Sequence, residues 1–155
     1  MVQSGRLVAR TSLALGGLLA CLAAPAAGQP PVAGSIKQLT GTASVVRGGQ
    51  ELPAAVGQPI TIADTVRTGA DSTIGITFKD GTRLSLGSNT EVQVSAFAYS
   101  PAEGEMALAL KILRGVASYI SGRIAELAPG AVKIETPTSV IGIRGTHVLV
   151  GVDRP

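Results

Sequence analysis

The stretch DTVRTGADSTIGITFKDGTRLSLGSNTEVQV, residues 64–94, decides the fold, because three strand patterns and their turns follow one another in it almost without a gap. Apolar side chains alternate with polar or small ones in residues 74–78, 84–86 and 92–94. An alternation of period two is typical of a β-strand that buries one face. Every apolar position in these runs is even-numbered, so all three runs predict one shared buried face if their turns preserve it.

The turn around Asp80 and Gly81 tests this requirement. A two-residue loop would point the apolar faces of the two flanking strands in opposite directions. A three-residue loop at residues 79–81, with Gly81 in the left-handed conformation, would instead place Ile76 opposite Leu84. In the alternative, each segment turns a corner and stacks on the previous one as in a β-solenoid. Periodicity alone leaves both arrangements open.

Strand patterns also precede the central stretch. Residues 36–47 predict a first strand that Gly41 interrupts with a bulge or a corner. Residues 51–62 contain two prolines, which exclude a long helix and a central strand. We therefore expect an edge strand or a connecting segment there.

The pattern continues to the C-terminal end. After residue 105 the even-numbered apolar face resumes, and we expect it to continue past Gly115 at Val116 and Ile120. Residues 123–127 predict one helical turn, and a strand from residue 132 should stop at Pro137. Residues 139–152 predict one last strand. The fold class is therefore all-β, a single small domain of short strands arranged like a β-solenoid or a β-sandwich.

Residues 1–28 carry the pattern of a secretory signal peptide, which is cleaved on export. Arg6 and Arg10 precede a short apolar run, and small residues follow it. The predicted division is a signal peptide at 1–28, a linker at 29–34 and an all-β domain at 35–153. We expect a periplasmic or secreted protein.

Cys21 leaves a second route of processing open. It is the only cysteine, and it follows Leu18-Leu19-Ala20, an acceptable lipobox. A lipid-anchored mature chain that starts at Cys21 is the alternative to loss of the thiol with the signal peptide. We expect a membrane contact only if the chain is lipidated there, and in either case the folded domain has no disulfide.

Composition argues against nucleic acid as a partner. The chain has 13 Lys and Arg against 10 Asp and Glu, and its basic residues do not form a run. With two Tyr, two Phe and no Trp, it has no stacking platform for single strands.

An enzymatic function is not expected from the residue inventory. The only histidine is His147, in the final strand, and nothing in the sequence fixes a nucleophile or further metal ligands beside it. Asp64 and Asp80 do not have the spacing of a calcium-binding loop and are expected to bond the backbone of their own turns. We expect no cofactor, no bound metal and no catalytic residue.

Several further residues are expected to shape turns or contact a partner. Gly69, Gly81 and Gly115 should supply positive φ angles, and Pro137 should end a strand. Arg144 could form an ion pair with a carboxylate of a partner, or with Asp64 or Asp80 in the same domain. The ion pair within the domain is the one that we expect. Arg144 and His147 are the candidate partner-contact residues.

Three segments together resemble the FecR domain, the periplasmic sensor module of bacterial iron-uptake signalling proteins. They are DTVRTGADSTIGITFKDGTRLSLGSNTEV, LKILRGVASYI and IETPTSVIGIRGTHVLV, and the resemblance covers residues 34–152. It implies an all-β domain outside the inner membrane. In the best-known members this domain contacts the signalling domain of an outer-membrane receptor and passes the signal to a cytoplasmic segment that controls a sigma factor.

The chain departs from that plan, because only ten residues precede the apolar run and leave no room for a cytoplasmic segment. We therefore expect a stand-alone exported form, which could be a shortened domain with an exposed last strand. Its expected function is non-enzymatic: binding of an envelope protein by strand addition, or sensing of a signal, with an outer-membrane receptor or a membrane sensor as the partner. Binding of a cell-wall or surface polysaccharide is the alternative.

Overall fold

A computed structural model of the protein describes residues 28–153, where the alternating pattern becomes twelve strands and one helical turn. The strands are β1 (Val32–Thr40), β2 (Ala43–Arg47), β3 (Gln50–Pro53), β4 (Pro59–Thr61), β5 (Thr65–Thr68), β6 (Thr73–Phe78), β7 (Arg83–Leu86), β8 (Glu91–Ser100), β9 (Glu105–Ile120), β10 (Val132–Glu135), β11 (Val140–Gly142) and β12 (His147–Val152). A 3₁₀ turn occupies Pro101–Glu103, and helix α1 spans Arg123–Leu127. The prediction of an all-β fold is confirmed.

The central hairpin of β6 and β7 has the predicted three-residue loop. Ile76 lies opposite Leu84, and the backbone N–H of Phe78 donates to the carbonyl of Thr82 over 2.8 Å. Gly81 has φ 85°, which closes the loop. The hairpin alternative is therefore correct here, and the apolar faces of β6 and β7 point to the same side.

The strands form one curled sheet with two halves that share β9. Half A contains β4, β1, β6, β7, residues 115–120 of β9, and β12, in that order. Half B contains β3, β2, β5, β8, residues 105–114 of β9, β10 and β11. All pairings are antiparallel except that of β10 with β9. Side chains from both halves form one hydrophobic core, so the sheet folds over itself in the manner of a sandwich.

The glycine at position 115 changes which face of β9 is buried. It has φ 86°, and the pairing with β8 skips a residue just before it. Such a bulge reverses the in-and-out alternation of the strand. Val116 is therefore 46% exposed while Tyr119 is buried. The expectation that the even-numbered face continues at Val116 and Ile120 is wrong for this reason.

The N-terminal strands follow the sequence pattern closely. Gly41, with φ 76°, forms the corner between β1 and β2. The proline-containing segment 51–62 supplies β4 and most of β3, and each of these strands ends one half of the sheet, as expected. β1 begins at Val32 and buries Ala33, so regular structure starts inside the segment interpreted as a linker.

The C-terminal segment differs in one respect from its prediction. The expected helical turn and the strand that ends before Pro137 are both present. Residues 139–152 were expected to form one strand, but a turn at residues 143–146 divides them into β11 and β12. Ile143 in this turn packs into the core and so fixes the break. Across residues 28–153, no helix has the length and apolarity needed to cross a bilayer.

Candidate functional site

The outer edge of β12 differs from the other edges of the sheet. Among the described strands, β12 pairs only with β9, so its other side has no neighbour. Edge strands are commonly protected by charges, by proline or by being short. β3 carries Glu51 and Pro53, β4 begins at Pro59, and β11 has three residues. β12 has six residues, HVLVGV, with no lysine, arginine, aspartate, glutamate or proline.

At alternate residues of β12, the backbone N–H and C=O groups point away from β9, toward the open edge of the sheet. The N–H of Ser121 donates to the carbonyl of Thr146 over 2.9 Å, so even-numbered residues direct their backbone groups toward β9. In an antiparallel pair this direction alternates along the strand. The N–H and C=O groups of His147, Leu149 and Gly151 therefore face the open edge. These are the groups that an added strand would bond.

Apolar side chains lie beside these groups on the outer face. Leu149 is 70% exposed, and Val116 on the neighbouring strand is 46% exposed. Gly151 lies opposite Val116 in the register, so Val116 is not covered from β12. An added strand could cover both side chains while it pairs with the edge.

His147 forms a hydrogen bond with Ser118, a contact that no pattern in the sequence indicates. The Ser118 Oγ and His147 Nε2 atoms are 2.8 Å apart across β9 and β12. Both side chains lie on the open face of the sheet, and no described carboxylate bonds the other ring nitrogen. The pair therefore lacks the orienting group and the enclosure of a catalytic triad.

Arg144 lies in the turn before β12. Ile143 is buried beside it, and the Ser121 hydroxyl donates to the Gly145 carbonyl. Arg144 is exposed on this anchored turn and forms no ion pair within the described chain. The expected internal pairing with Asp64 or Asp80 is wrong, because both carboxylates are bonded elsewhere.

Asp64 pairs with an arginine from the preceding hairpin. Arg47 Nε and Nη2 donate to its two carboxylate oxygens over 2.8 and 2.6 Å, and the N–H of Thr61 donates over 2.7 Å. Burial acts to raise the pKa of Asp64, but the hydrogen bonds from Arg47 and Thr61 and the charge of Arg47 prevail. The pKa of Asp64 is therefore lowered, and the pair ties β2 to the β4–β5 turn.

Asp80 bonds both its own turn and the start of α1. Its carboxylate accepts from the N–H and the hydroxyl of Thr82, over 3.1 and 2.7 Å. It also accepts from the N–H of Ile124 over 3.3 Å, and its carbonyl accepts from the N–H of Arg123. Asp80 thus satisfies the first N–H groups of the helix from another part of the chain.

Gly69 and Pro137 occupy tight turns for different reasons. Gly69 is not in the left-handed region, contrary to expectation. A Cβ at this position would lie 2.5 Å from the Thr42 hydroxyl, so close approach requires the glycine. Pro137 follows β10 in the turn that leads to β11, where the N–H of Thr136 donates to the carbonyl of Ser139.

Half B carries a cluster of charged side chains, Arg67, Glu91 and Arg114, that the sequence did not predict. Glu91 lies between Arg67 and Arg114, with contacts of 3.0 and 3.2 Å. The three residues come from three different strands, so no local spacing could have indicated them. In residues 28–153, no group of three His, Cys, Asp or Glu side chains is placed to hold a metal ion.

Comparison with known proteins identifies one family. A family model described as FecR protein matches residues 64–155, more than half of the chain. Residues 34–63, which the sequence resemblance also covers, lie outside this match. No curated protein and no solved structure matches the chain.

Proposed function

The chain belongs to the FecR protein family, a family of signalling and sensor-like domains, and on that basis we propose that it binds another protein of the bacterial envelope. Its role is to recognise that partner and not to transform a substrate. The partner contributes a β-strand that pairs with the outer edge of β12. An outer-membrane receptor or a membrane sensor has the location that such a partner needs.

The open edge of β12 is the observation that carries this proposal. Its outward backbone groups at His147, Leu149 and Gly151 supply hydrogen bonds, and exposed Leu149 and Val116 supply apolar area. Arg144, exposed on the turn before the strand, would meet a carboxylate of the partner. His147, held by Ser118, would contact the side chain that lies opposite it.

Binding of a surface polysaccharide has less support. Sugar rings are commonly held by exposed aromatic faces. Phe78 and Tyr119 are buried in the core, and Phe97 and Tyr99 are half-buried on half B. No described aromatic side chain lies beside the β12 edge, so a protein strand is the better match.

Export is part of the proposal, and its route can be tested. A signal peptide at residues 1–28 would deliver the domain to the periplasm or beyond, whereas lipidation at Cys21 would retain it on a membrane. Residues 1–27, which include Cys21, lie outside the described part of the chain. Intact mass of the mature protein distinguishes the two routes, because lipidation adds acyl chains that a Cys21→Ser variant would lack.

Site-specific cross-linking tests the binding proposal. A photoreactive phenylalanine analogue at position 149 should cross-link to one envelope protein in living cells, and the same analogue at Lys133 on β10 should not. The captured protein is then purified and its affinity is measured by calorimetry. Equal cross-linking from both positions would contradict a site at the β12 edge.

Two substitutions of Leu149 separate strand addition from simple apolar contact. Leu149→Pro removes an outward N–H and places a ring at the edge, while the inward bonds to β9 remain. It should abolish binding of the purified partner without unfolding the domain. Leu149→Val keeps the N–H and should bind within about threefold of the parent affinity. Retained binding by a folded Leu149→Pro variant would rule out strand addition at this edge.

A further inference from the structure

Half A of the sheet has an uneven distribution of charge. Its strands contain Lys37 and Arg83 but no aspartate or glutamate. The strands of half B carry both signs: Glu51, Glu91, Glu105 and Glu135 together with Arg47, Arg67, Lys111, Arg114 and Lys133. The described face of half A is therefore suited to an anionic partner, whereas the charges of half B are mixed.

A β-bulge adds to this asymmetry. In the pairing of β1 with β6, Ile36 lies opposite Ile76 and Gln38 lies opposite Gly75, so Lys37 is an extra residue. As a result, Lys37 and Gln38 are both exposed, although adjacent strand residues normally point to opposite faces. The bulge thus places a cation and an amide side by side on the outer face.

A groove follows β6 on this face. The outward residues of β6 are the small Thr73, Gly75 and Thr77. The longer side chains that flank them are Lys37 and Gln38 on β1 and Arg83 on β7. Three adjoining depressions along it have cavity volumes of about 290, 370 and 500 Å³. Each shares lining residues with the next, so together they form one open groove, which we call the β6 groove.

Three cations lie along the β6 groove, from its middle section to the end beside the hairpin turn. Lys37 and Arg83 line its middle section, and Lys37 and Lys79 line the section beside the hairpin turn. All three side chains are exposed, and none forms an ion pair with another residue of the described chain. Their charges are therefore available to a ligand.

We propose that the β6 groove binds an acidic polypeptide segment in an extended conformation, with its carboxylates on Lys37, Lys79 and Arg83. The six residues of β6 span about 20 Å, which accommodates about six residues of extended chain. Hydroxyl and amide groups of Thr73, Gln38 and Ser85 line the groove and can bond a peptide backbone.

The chemistry of the groove favours a peptide over an acidic polysaccharide. Phe78 is its only aromatic lining residue, and its ring is buried in the core. A sugar ring would therefore lack an aromatic face to pack on. The groove is also separate from the β12 edge, because β7 and β9 lie between β6 and β12. Failure of one site would leave the proposal for the other unaffected.

Binding of a defined peptide tests this proposal. The probe is a fluorescein-labelled hexapeptide in which glutamate alternates with threonine, added to the exported protein and followed by fluorescence anisotropy. A second peptide has lysine in place of glutamate. The glutamate peptide should bind and should shift the backbone amide NMR signals of Gly75, Thr77 and Ser85, whereas the lysine peptide should do neither.

Three variants distinguish binding of the peptide in the groove from its general attraction to a positively charged protein. Gly75→Val fills the groove, and a new Cβ meets only the Gln38 side chain at 3.4 Å, so the strand should remain intact. This variant, and the double variant Lys37→Glu with Arg83→Glu, should each weaken binding by about tenfold or more. Lys133→Glu on β10 makes one charge reversal away from the groove and should change affinity by less than about twofold.

Several outcomes would overturn the proposal. One is the absence of binding by the glutamate peptide, and another is unchanged affinity in a folded Gly75→Val variant. A loss with Lys133→Glu as large as that of the double variant would show that only the overall charge matters. Polygalacturonate, tested in parallel, would identify a glycan site if it alone shifted the signals of Gly75 and Thr77.

Discussion

At the scale of single residues, Gly115 combines a positive φ angle with close contact to a neighbouring strand. Its φ of 86° is strained for any residue with a side chain, and a Cβ there would lie 2.6 Å from Thr90 Cα. The hydroxyl of Thr90 also bonds both N–H and C=O of Val116, so the two strands cannot separate without losing these bonds. This one position therefore sets which face of β9 enters the core.

We expect Gly115→Ala to lower the free energy of unfolding by about 3 kcal/mol or more, from backbone strain and steric overlap together. Gly49→Ala is the matched control, because Gly49 has φ 82° but nothing within 4 Å of a Cβ. Gly49→Ala should lower the free energy of unfolding by about 1 kcal/mol, from backbone strain alone. Urea denaturation measures both. Equal costs would mean that the contact with Thr90 is unimportant.

The Arg47–Asp64 pair makes stability depend on pH. Because the pKa of Asp64 is lowered by folding, the folded state keeps this carboxylate ionised at a pH where the unfolded chain has taken up a proton. The stabilisation is complete above the unfolded-state pKa of about 4 and is lost as pH falls through the folded-state pKa. Asp64→Asn should therefore cost about 1 to 3 kcal/mol at pH 7 and progressively less below about pH 4.

A double-mutant cycle checks that Arg47 is the cause. Arg47→Met leaves the buried carboxylate with only its bond from Thr61, so it should cost about 2 to 3 kcal/mol at neutral pH. The double variant should cost less than the sum of the two single variants. A stability difference between the parent and Asp64→Asn that stays constant from pH 7 to about pH 2 would show that another group causes the pH dependence.

At the scale of elements, adjacent residues of β9 just after Gly115 should respond very differently to the same substitution. Val116 is 46% exposed, whereas Ala117 is 1% exposed and lies opposite Leu86. Val116→Glu should change the free energy of unfolding by less than about 1 kcal/mol. Ala117→Glu would bury an unpaired charge and should cost about 4 kcal/mol or prevent folding. Thermal denaturation followed by circular dichroism compares the two, and greater damage from Val116→Glu would contradict the shifted register.

Local signals in the sequence were enough to predict the hairpins, but they did not predict the contacts between different hairpins. The parity of Ile76 and Leu84 required a three-residue loop, because only that loop keeps both side chains on one face. The bulge before Gly115 has no such signal, since a glycine in a strand is compatible with either register. Arg47 and Asp64 are 17 positions apart, and Ser118 and His147 are 29 apart. Only the folded sheet brings such residues together.

The same reasoning applies to the candidate sites. Alternation predicted a last strand that contains His147, but it placed that strand over residues 139–152 and did not predict the turn at residues 143–146. Whether this strand has a paired strand on both sides depends on the order of the strands in the sheet. Periodicity does not determine that order. The β6 groove was equally hidden, because it needs the bulge at Lys37 and the small residue at Gly75 to lie on adjacent strands.

At the scale of the whole molecule, the domain depends on the strands that precede the family match. The match begins at Asp64, yet β1 pairs with β6 and β2 pairs with β5. Residues before Asp64 also contribute Ala33, Ile36, Val45 and Ile60 to the core, and Arg47 to the buried carboxylate. Without them, β5 and β6 would become open edges, and the apolar face of β6 would lose its neighbour.

We therefore expect residues 64–155 alone not to fold, whereas residues 28–155 should unfold cooperatively like the exported protein. The shorter fragment loses four strands, and each new edge leaves backbone groups unpaired. Hydrogen exchange should show protected amides at Ile74 and Ile76 only in the longer fragment. Addition of a separate chain of residues 28–63 should restore this protection, because the missing strands can pair in trans. Cooperative unfolding of residues 64–155 alone, with the same midpoint, would show that the family match by itself marks the folding unit.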